Sequence, residues 1–277
     1  MTTLLSWISY SDTGEESHLP RAVYLVSDSR ITWGTADRRW ENGRKVFAPL
    51  TEPHLFGYSG DVVLPALILG QVVSAMDARV LFDAGATAAD RHQAVFRVIR
   101  RAVACAVETP TQNFTIHHLL RESDWPNTTF RAWHIAFDAR TRTCSSTALS
   151  IPTTTNPVAS FGRGSGAAKS QLNRWNASDA AGRSRAVLSS FCEAIRSGQD
   201  PLSGGPPQLA ALYTSGSPVQ IGMCIGEGRY LNGLAVGAGE NLASIEWRDE
   251  LGQVVNPTTG LTLRGARRFA RPRGLAS

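Results

Sequence analysis

The pattern of apolar and polar positions separates short β-type runs from two pairs of longer helical segments. The β-type runs are three to nine residues long and are bounded by turn-forming Gly, Pro, Asp and Ser residues. The strands predicted in this way cover residues 2–10, 21–27, 45–47, 54–58, 114–119, 131–137, 144–151, 157–161, 209–213 and 219–224.

The helical segments fall into two blocks. The first block lies between Asp61 and Glu108, where residues 87–90 resemble a capping box and apolar residues recur behind it at helical spacing. The second block holds one helix beyond Gly166 and a clearer one over residues 184–196. Strands, two helices, strands, two helices and strands in that order predict an α+β chain with helices layered on antiparallel sheets.

The end of the chain differs in character from the rest. Residues 1–236 carry the pattern of strands and helices, and residues 237–277 are predicted to form an extension with a hairpin near residues 245–252. An arginine-rich tail follows, and it accounts for five charges in a chain whose net charge is +5 (Arg264, Arg267, Arg268, Arg271 and Arg273). Such a tail either contacts phosphates or an acidic partner, or is a solvated terminus, and the second reading is the commoner one.

Several classes of protein are disfavoured by the composition. No run approaches the roughly 18 apolar residues of a membrane span, and the start lacks the basic and apolar regions of a signal peptide. The four cysteines form no paired motif, and His117, His118 and His134 have no carboxylate or cysteine at ligand spacing. We therefore expect a cytoplasmic protein that uses no metal or cofactor, and nucleic acid is an unlikely partner.

Thr2 is the first candidate for chemistry. Initiator methionine is readily removed before a small residue, and Thr2 would then carry both a hydroxyl nucleophile and the chain's α-amino group. An α-amine with a reference pKa near 8 can accept the hydroxyl proton close to neutral pH. The start Met-Thr-Thr is common, so this feature alone predicts little.

A second group of candidates follows the second predicted strand. Asp28 and Arg30 form an Asp-x-Arg pair, and Lys45 follows at the start of another strand. A lysine held by a carboxylate beside the nucleophile would lower the pKa of the hydroxyl and stabilise an oxyanion. Each residue by itself is more often part of a surface turn or ion pair.

Together these pieces resemble the proteasome β-subunit family, which includes the bacterial HslV peptidase. Thr2-Thr3 resembles the mature N-terminus of that family, Ser27-Asp28-Ser29-Arg30 its Ala-Asp-Ser-Arg signature, and Lys45 its active-site lysine. The Gly-rich turn at residues 57–61 is similar to the one that forms the oxyanion hole, with Gly60 as donor. Gly164-Ser165-Gly166 and the segment from Asp200 to Ser203 match two further motifs in the second half.

The resemblance covers residues 2–226 and implies a four-layer αββα sandwich of the N-terminal-nucleophile (Ntn) hydrolase type. It implies that Asp28, Lys45 and Gly60 act with Thr2, that Arg30 supports the site, and that Ser165, Asp200 and Ser203 orient the N-terminal residue. Two further residues, Thr32 and Tyr58, would bind substrate. The segment before Asp28 is about ten residues longer than in compact family members, and we place the insertion between Ser11 and Pro20.

The function implied is that of a threonine peptidase within a self-compartmentalising ring or helical homo-oligomer that cleaves peptides or unfolded proteins. The resemblance also implies an ATP-dependent unfoldase as a partner that supplies substrate. Two alternatives stay open: an Ntn amidase that acts on a small amide, and a catalytically silent assembly subunit.

Overall fold

A computed structural model of the chain describes residues 2–11, 19–107, 110–237 and 239–275. The predicted succession of strand and helix blocks is confirmed. The strands are β1 Leu4–Tyr10, β2 Pro20–Ser27, β3 Ile31–Thr32, β4 Arg39–Trp40, β5 Val46–Phe47, β6 His54–Gly60, β7 Phe114–Ser123, β8 Thr129–Asp138, β9 Thr143–Leu149, β10 Asn156–Phe161, β11 Gln208–Tyr213, β12 Val219–Ile225, β13 Gly228–Leu231, β14 Leu234–Ala235 and β15 Trp247–Asp249. The helices are α1 Val63–Asp77, α2 Ala88–Cys105, α3 Ser165–Asn176 and α4 Ser184–Ser197, with 3₁₀ turns at Leu242–Ser244 and Arg273–Leu275.

The largest sheet is built around β1 and β2. Its strand order is β10-β1-β2-β11-β12-β13-β14, with β15 joined to β12 in parallel and the other pairs antiparallel. Six of the eight residues of β2 are buried, which explains why this central strand reads as a continuous apolar run rather than an alternating one. The register pairs Leu4 with Ser27, so the start of β1 lies beside the end of β2, and the first residues of the chain therefore meet the Asp28 loop.

A second sheet carries the strands from the middle of the chain. Its order is β5-β6-β7-β8-β9, entirely antiparallel, and it pairs Gly60 with Phe114 at the end of β6. The two large sheets face each other across a buried layer of Leu4, Leu25, Leu55 and Leu119. Strands β3 and β4 form a separate two-stranded sheet between Asp28 and Lys45.

The helices cover the outer faces of the sheets unequally. Helices α1 and α2 pack Ile68, Val72, Val95 and Ile99 over β6 and β7. On the other side α4 contributes most of the packing against β1 and β2, while Trp175 of α3 is buried in a separate cluster. The predicted capping box of α2 is confirmed, with Thr87 and Asp90 exchanging side-chain and backbone hydrogen bonds.

The predicted four-layer αββα sandwich is wrong. More of the described residues lie in strands than in helices, in three separate sheets with four helices of 12 to 18 residues. Two features lie behind the difference. Short strands such as β3, β4, β13 and β14 show no periodicity that a hydrophobic pattern could reveal. In addition, α3 packs chiefly on α4 and the end of the chain, so the second helix pair covers less of its sheet than the prediction requires.

The segment beyond residue 237 packs onto the preceding part of the chain. Strand β15 pairs with β12, and the ring of Trp247 lies against Gly222, where a Cβ atom would meet the ring at 2.3 Å. The predicted hairpin is present only in part, as a turn at Asp249 followed by a single bridge from Arg248 to Val254. Most of the predicted insertion after Ser11, residues 12–18, lies outside the described residues.

Among the described residues no helix is long and apolar enough to cross a membrane, and no group of three His, Cys, Asp or Glu side chains is placed to hold a metal ion.

Buried histidines link the layers. His117 and His118 are neighbours on β7 and point to opposite faces, as strand alternation requires. His117 lies 2.7 Å from the Ser6 hydroxyl on the facing sheet. His118 lies 2.8 Å from His54 and 2.9 Å from His92 of α2, so three imidazoles form one hydrogen-bonded chain. Burial lowers the pKa of His54 and of His117 to about 3 and that of His92 to about 4.

We predict that the protein loses stability as the pH falls from 7 to 5. His54 and His117 stay neutral in the folded state, whereas the unfolded chain binds protons at both positions below about pH 6.5. Their folded-state pKa values are depressed. The two histidines therefore make their full contribution to the free energy of unfolding above pH 6.5, and this contribution is lost as the pH falls toward 3. Well below pH 6.5 each histidine contributes a slope of about 1.4 kcal/mol per pH unit. Urea unfolding at several pH values measures this slope.

A His117→Gln variant provides the control, because glutamine can keep the hydrogen bond to Ser6 and does not titrate. The slope of its free energy of unfolding against pH should be shallower than that of the wild type by about the contribution of one histidine. An identical slope in the two proteins would contradict the assignment.

Candidate active site

Asp28 lies at the centre of a buried network directly after β2. Its carboxylate accepts four hydrogen bonds: Oδ1 from the Thr3 amide and the Lys45 ammonium, each at 2.9 Å, and Oδ2 from the amides of Gly204 at 2.9 Å and Arg30 at 3.2 Å. The residue is fully buried. Because a buried carboxylate is costly unless it is paired and hydrogen-bonded, this donor set explains how Asp28 is accommodated inside the protein.

Lys45 is equally buried and is the direct partner of Asp28. Its Nζ lies 2.9 Å from Asp28 Oδ1 and 2.6 Å from the carbonyl oxygen of Arg30. Burial lowers the pKa of Lys45 below its ordinary value, and the negative charge of Asp28 opposes that shift. Since the ammonium and the Thr3 amide share one carboxylate oxygen, the two nitrogens are no farther apart than two hydrogen-bond lengths.

Arg30 ties this network to the loop before β11. Its Nη1 donates to the carbonyl oxygen of Pro201 at 2.7 Å, and Nη2 lies 2.9 Å from Glu41. The guanidinium occupies the space that a Cβ atom at Gly204 would need, 2.4 Å from Cζ. Arg30 therefore contacts the loop and does not line the cleft at Thr2.

Thr3 begins a second chain of hydrogen bonds. Its hydroxyl donates to Ser203 Oγ at 2.9 Å, and Ser203 donates to Asp200 Oδ2 at 2.7 Å. Gly164 packs against the same hydroxyl, and a Cβ atom there would lie 1.8 Å from Thr3 Oγ1. Ser203 therefore contacts Thr3 directly and Asp200 contacts it through Ser203, whereas the prediction placed both residues against Thr2.

Thr2 directly precedes Thr3, the residue that both chains of hydrogen bonds reach. It is fully buried, and its hydroxyl has no hydrogen-bond partner among the described residues. Together with Gly60, Asn113 and Gly162 it lines a cleft of about 280 Å³. Buried polar atoms are rarely left unpaired, so an unpaired hydroxyl beside a cleft is a feature to be explained.

Glycines shape two sides of that cleft. Gly60 has φ +99°, and a Cβ atom would lie 2.2 Å from the Asn113 carbonyl oxygen. Gly162 has φ +85°, and a Cβ atom would lie 1.9 Å from the Thr2 carbonyl oxygen. Both positions combine a left-handed backbone with close approach of another main chain, a combination that only glycine accommodates.

Three predicted site residues lie elsewhere. Ser165 lines a separate depression with Leu5 and Lys169. Tyr58 is fully buried under α1 and donates to the Arg44 carbonyl oxygen at 3.2 Å, so it does not line the cleft. Thr32 pairs with Arg39 in the β3–β4 hairpin, and β4 therefore occupies one edge of the strand expected to receive a peptide.

Other residues of the network escaped the sequence analysis. Gln208 is fully buried, accepts from the amides of Lys45 and Val46, and donates to the carbonyl oxygens of Asp28 and Gly43. A glutamine at the start of an otherwise apolar strand was the available signal. Glu41 and Gly162 gave no comparable signal, because their importance depends on contacts with distant parts of the chain.

Comparisons with known proteins give a limited context. No family model matches the chain, and no curated protein matches it. Among solved structures, a Gly-1 mutant of Anbu from Hyphomicrobium sp. strain MC1 aligns at 11% identity over 79% of this chain and 86% of that chain, with a TM-score of 0.48.

The assignment to the proteasome β-subunit and HslV-like family is therefore corrected. No family model supports it, and the structure named above is Anbu, a family distinct from HslV. Short motifs in the right order suggested the assignment, but motifs of this length do not establish a family. An identity of 11% leaves the chemistry to be inferred from the geometry of the site itself.

We predict that Asp28→Asn destabilises the protein more than Lys45→Met. The first change leaves a buried ammonium without its counter-charge, a loss of about 3–5 kcal/mol for a broken buried pair. The second leaves a carboxylate that still accepts from three backbone amides. Urea unfolding measures both, with Asp83→Asn on the exposed surface as the matched control. Equal losses, or a loss no larger than that of Asp83→Asn, would contradict the network described here.

We also predict that Gly162→Ala displaces the start of the chain. Its Cβ atom would collide with the Thr2 carbonyl oxygen, whereas Gly182 has a similar φ of +66° and open space around it. Gly182→Ala therefore introduces backbone strain without a steric clash, whereas Gly162→Ala introduces both. Unfolding measurements should show a clearly larger loss of stability for Gly162→Ala, and comparable losses would mean that Thr2 does not lie against Gly162.

Proposed function

We propose that the protein is a threonine-type Ntn hydrolase that cleaves amide bonds with Thr2 after removal of Met1. The observation that carries the proposal is the buried, unpaired hydroxyl of Thr2 beside a cleft. Its neighbour Thr3 is held by Asp28, and the same carboxylate holds the ammonium of Lys45. The proposed nucleophile thus lines a glycine-walled cleft and adjoins a residue that shares a carboxylate with a positive charge.

In the proposed mechanism the α-amine of Thr2 accepts the proton of its own hydroxyl, and Oγ attacks the carbonyl carbon of the substrate. The positive charge of Lys45 stabilises the negative charge that develops, and a backbone amide at Gly60 is the proposed donor to the oxyanion. The amine of the substrate leaves with the proton that the α-amine held. Water then hydrolyses the ester on Thr2 and restores the hydroxyl.

The residues around Thr2 have supporting roles in this proposal. Asp28 fixes both Lys45 and the main chain at Thr3, and a side chain held in this way loses little further freedom when substrate binds. Asp200 and Ser203 fix Thr3 through its hydroxyl and so orient the residue before it. Arg30 and Gln208 hold the loops on which Asp28 and Lys45 lie.

Two substrate classes are compatible with this chemistry. The first candidate is a threonine endopeptidase that acts on peptides or unfolded proteins. The second is an amidase for a small amide, and the cleft volume of about 280 Å³ favours it, because this lies just below the usual range of ligand pockets. Comparing turnover of extended peptides with turnover of small amides that carry the same acyl group distinguishes the two.

We predict that Thr2→Ala lowers the turnover of a fluorogenic amide by about a thousandfold or more, because it removes the nucleophile. Thr2→Ser should retain measurable activity, since it keeps the hydroxyl and the amine. Thr3→Val, the matched neighbour, loses only the hydrogen bond to Ser203 and should cost about tenfold or less. Full activity of Thr2→Ala would exclude Thr2 as the nucleophile.

We further propose that copies of the chain assemble into a ring or helical homo-oligomer, which an ATP-dependent unfoldase could supply with substrate. Val63 and Leu67 support this, because they lie one turn apart on α1 with exposed fractions of 66% and 62%. Leu67→Glu should shift the native mass toward the monomer, and Leu234→Glu, equally exposed at 63%, should not. A monomeric wild type would exclude the assembly without affecting the proposed chemistry.

A further inference from the structure

The arginine-rich tail does not lie free in solvent but forms one wall of a large cavity. This cavity has a volume of about 930 Å³ and lies between the α3–α4 connection and residues 267–275. Four arginines of the tail line it, namely Arg267, Arg268, Arg271 and Arg273. Arg174, Arg183 and Arg185 line the opposite wall, and Asp179 is the one acidic residue among the described residues of the lining. No residue of this cavity lines the cleft at Thr2.

The tail is fixed in this position by apolar and ionic contacts. Leu275 is buried with Trp175, Ala180 and Ala186, and Arg271 lies 3.0 Å from Glu193 of α4. The arginines are therefore held close to one another, and their mutual repulsion has to be offset by these contacts. A solvated terminus would avoid this repulsion by extending into water.

Arg185 gives the most direct indication that an anion belongs here. Its side chain is only 9% exposed and lies over the ring of Phe269, 4.9 Å from the centroid. Nη1 donates to the Ala270 carbonyl oxygen at 3.1 Å, and Nη2 is 3.7 Å from the exposed carboxylate of Asp179. The Nε of Arg185 is buried and has no partner among the described residues. Because buried N–H groups are rarely left without an acceptor, this N–H is suited to an acceptor that a bound anion would supply.

The start of α4 adds positive potential to the same wall. No acidic residue lies in the first turn, and Arg183 at the cap position offers no side-chain hydrogen bond to the helix. Ser184 is engaged by the indole of Trp7 at 2.7 Å. The positive end of the helix dipole thus faces two arginines, an arrangement that an anion in the cavity would stabilise.

We propose that this cavity is a binding site for a small polyanion that carries several phosphate groups and is about the size of a nucleotide. Its volume lies within the range of small-ligand pockets, and seven arginines against one aspartate suit a ligand of three or more negative charges. Arginine side chains recognise phosphate oxygens in pairs, with geometry as well as charge. A concave site of this kind favours a compact ligand over a nucleic-acid strand. A nucleoside triphosphate and inorganic polyphosphate share this chemistry.

Isothermal titration of the full chain with ATP and with tripolyphosphate, at 150 mM salt, tests the proposal. We expect saturable binding of at least one of them at a single site. Arg268→Gln with Arg273→Gln should weaken binding at least tenfold, and both residues are exposed, so the fold should survive. Arg185→Gln should weaken it at least as much. Tighter binding of ATP would identify the nucleotide as the source, and equal binding would identify the phosphate chain.

The matched control is Arg97→Gln with Arg101→Gln, which removes two exposed charges from α2 and should change the affinity less than twofold. Absence of saturable binding would overturn the proposal. So would equal losses in the cavity and control variants, which would indicate general charge attraction. Binding of a DNA oligonucleotide without binding of either phosphate ligand would also overturn it, in favour of a nucleic-acid surface.

Discussion

The hydrogen-bonded ion pair of Asp28 and Lys45 is the interaction on which the rest of the site depends. One carboxylate joins the first residues of the chain, the loop after β2, the start of β5 and the loop before β11. These segments are far apart in sequence, and no shared strand ladder brings all four together. A buried pair of this kind is weak evidence for stability, because desolvation opposes the attraction between the charges. The pair has a clearer structural consequence: it fixes the main chain at Thr3, next to Thr2, relative to the ammonium of Lys45.

The sequence predicted the large elements well because their signals are local. The β2 strand is a continuous apolar run, and the start of α2 is predicted by the capping-box residues Thr87 and Asp90. The layer arrangement was mispredicted because it depends on where a helix finds its partner. Trp175 of α3, for example, is buried beside Leu275 at the far end of the chain. Contacts of that kind leave no periodic trace in the sequence.

The site shows the same division. Asp28 follows one predicted strand and Lys45 begins another. A charged residue next to an apolar run can be recognised from the sequence as a candidate site residue. Tyr58 lies in the predicted oxyanion-hole segment and was expected to bind substrate, yet its ring is enclosed under α1. Gln208 was missed because one buried glutamine can be recognised as a clamp only when the four groups it contacts are known. Family motifs supplied the order of the pieces, and only the three-dimensional contacts showed that Thr3, and not Thr2, meets Ser203.

The central claim is that Thr2 becomes the first residue and acts as the nucleophile. The intact mass of the purified protein, before and after treatment with a threonine-directed β-lactone, tests it most directly. The account predicts a mass without Met1, a single covalent adduct on the wild type, and no adduct on Thr2→Ala. A mass that retains Met1, with no adduct, would contradict it, because the α-amine that serves as base would then lie on another residue.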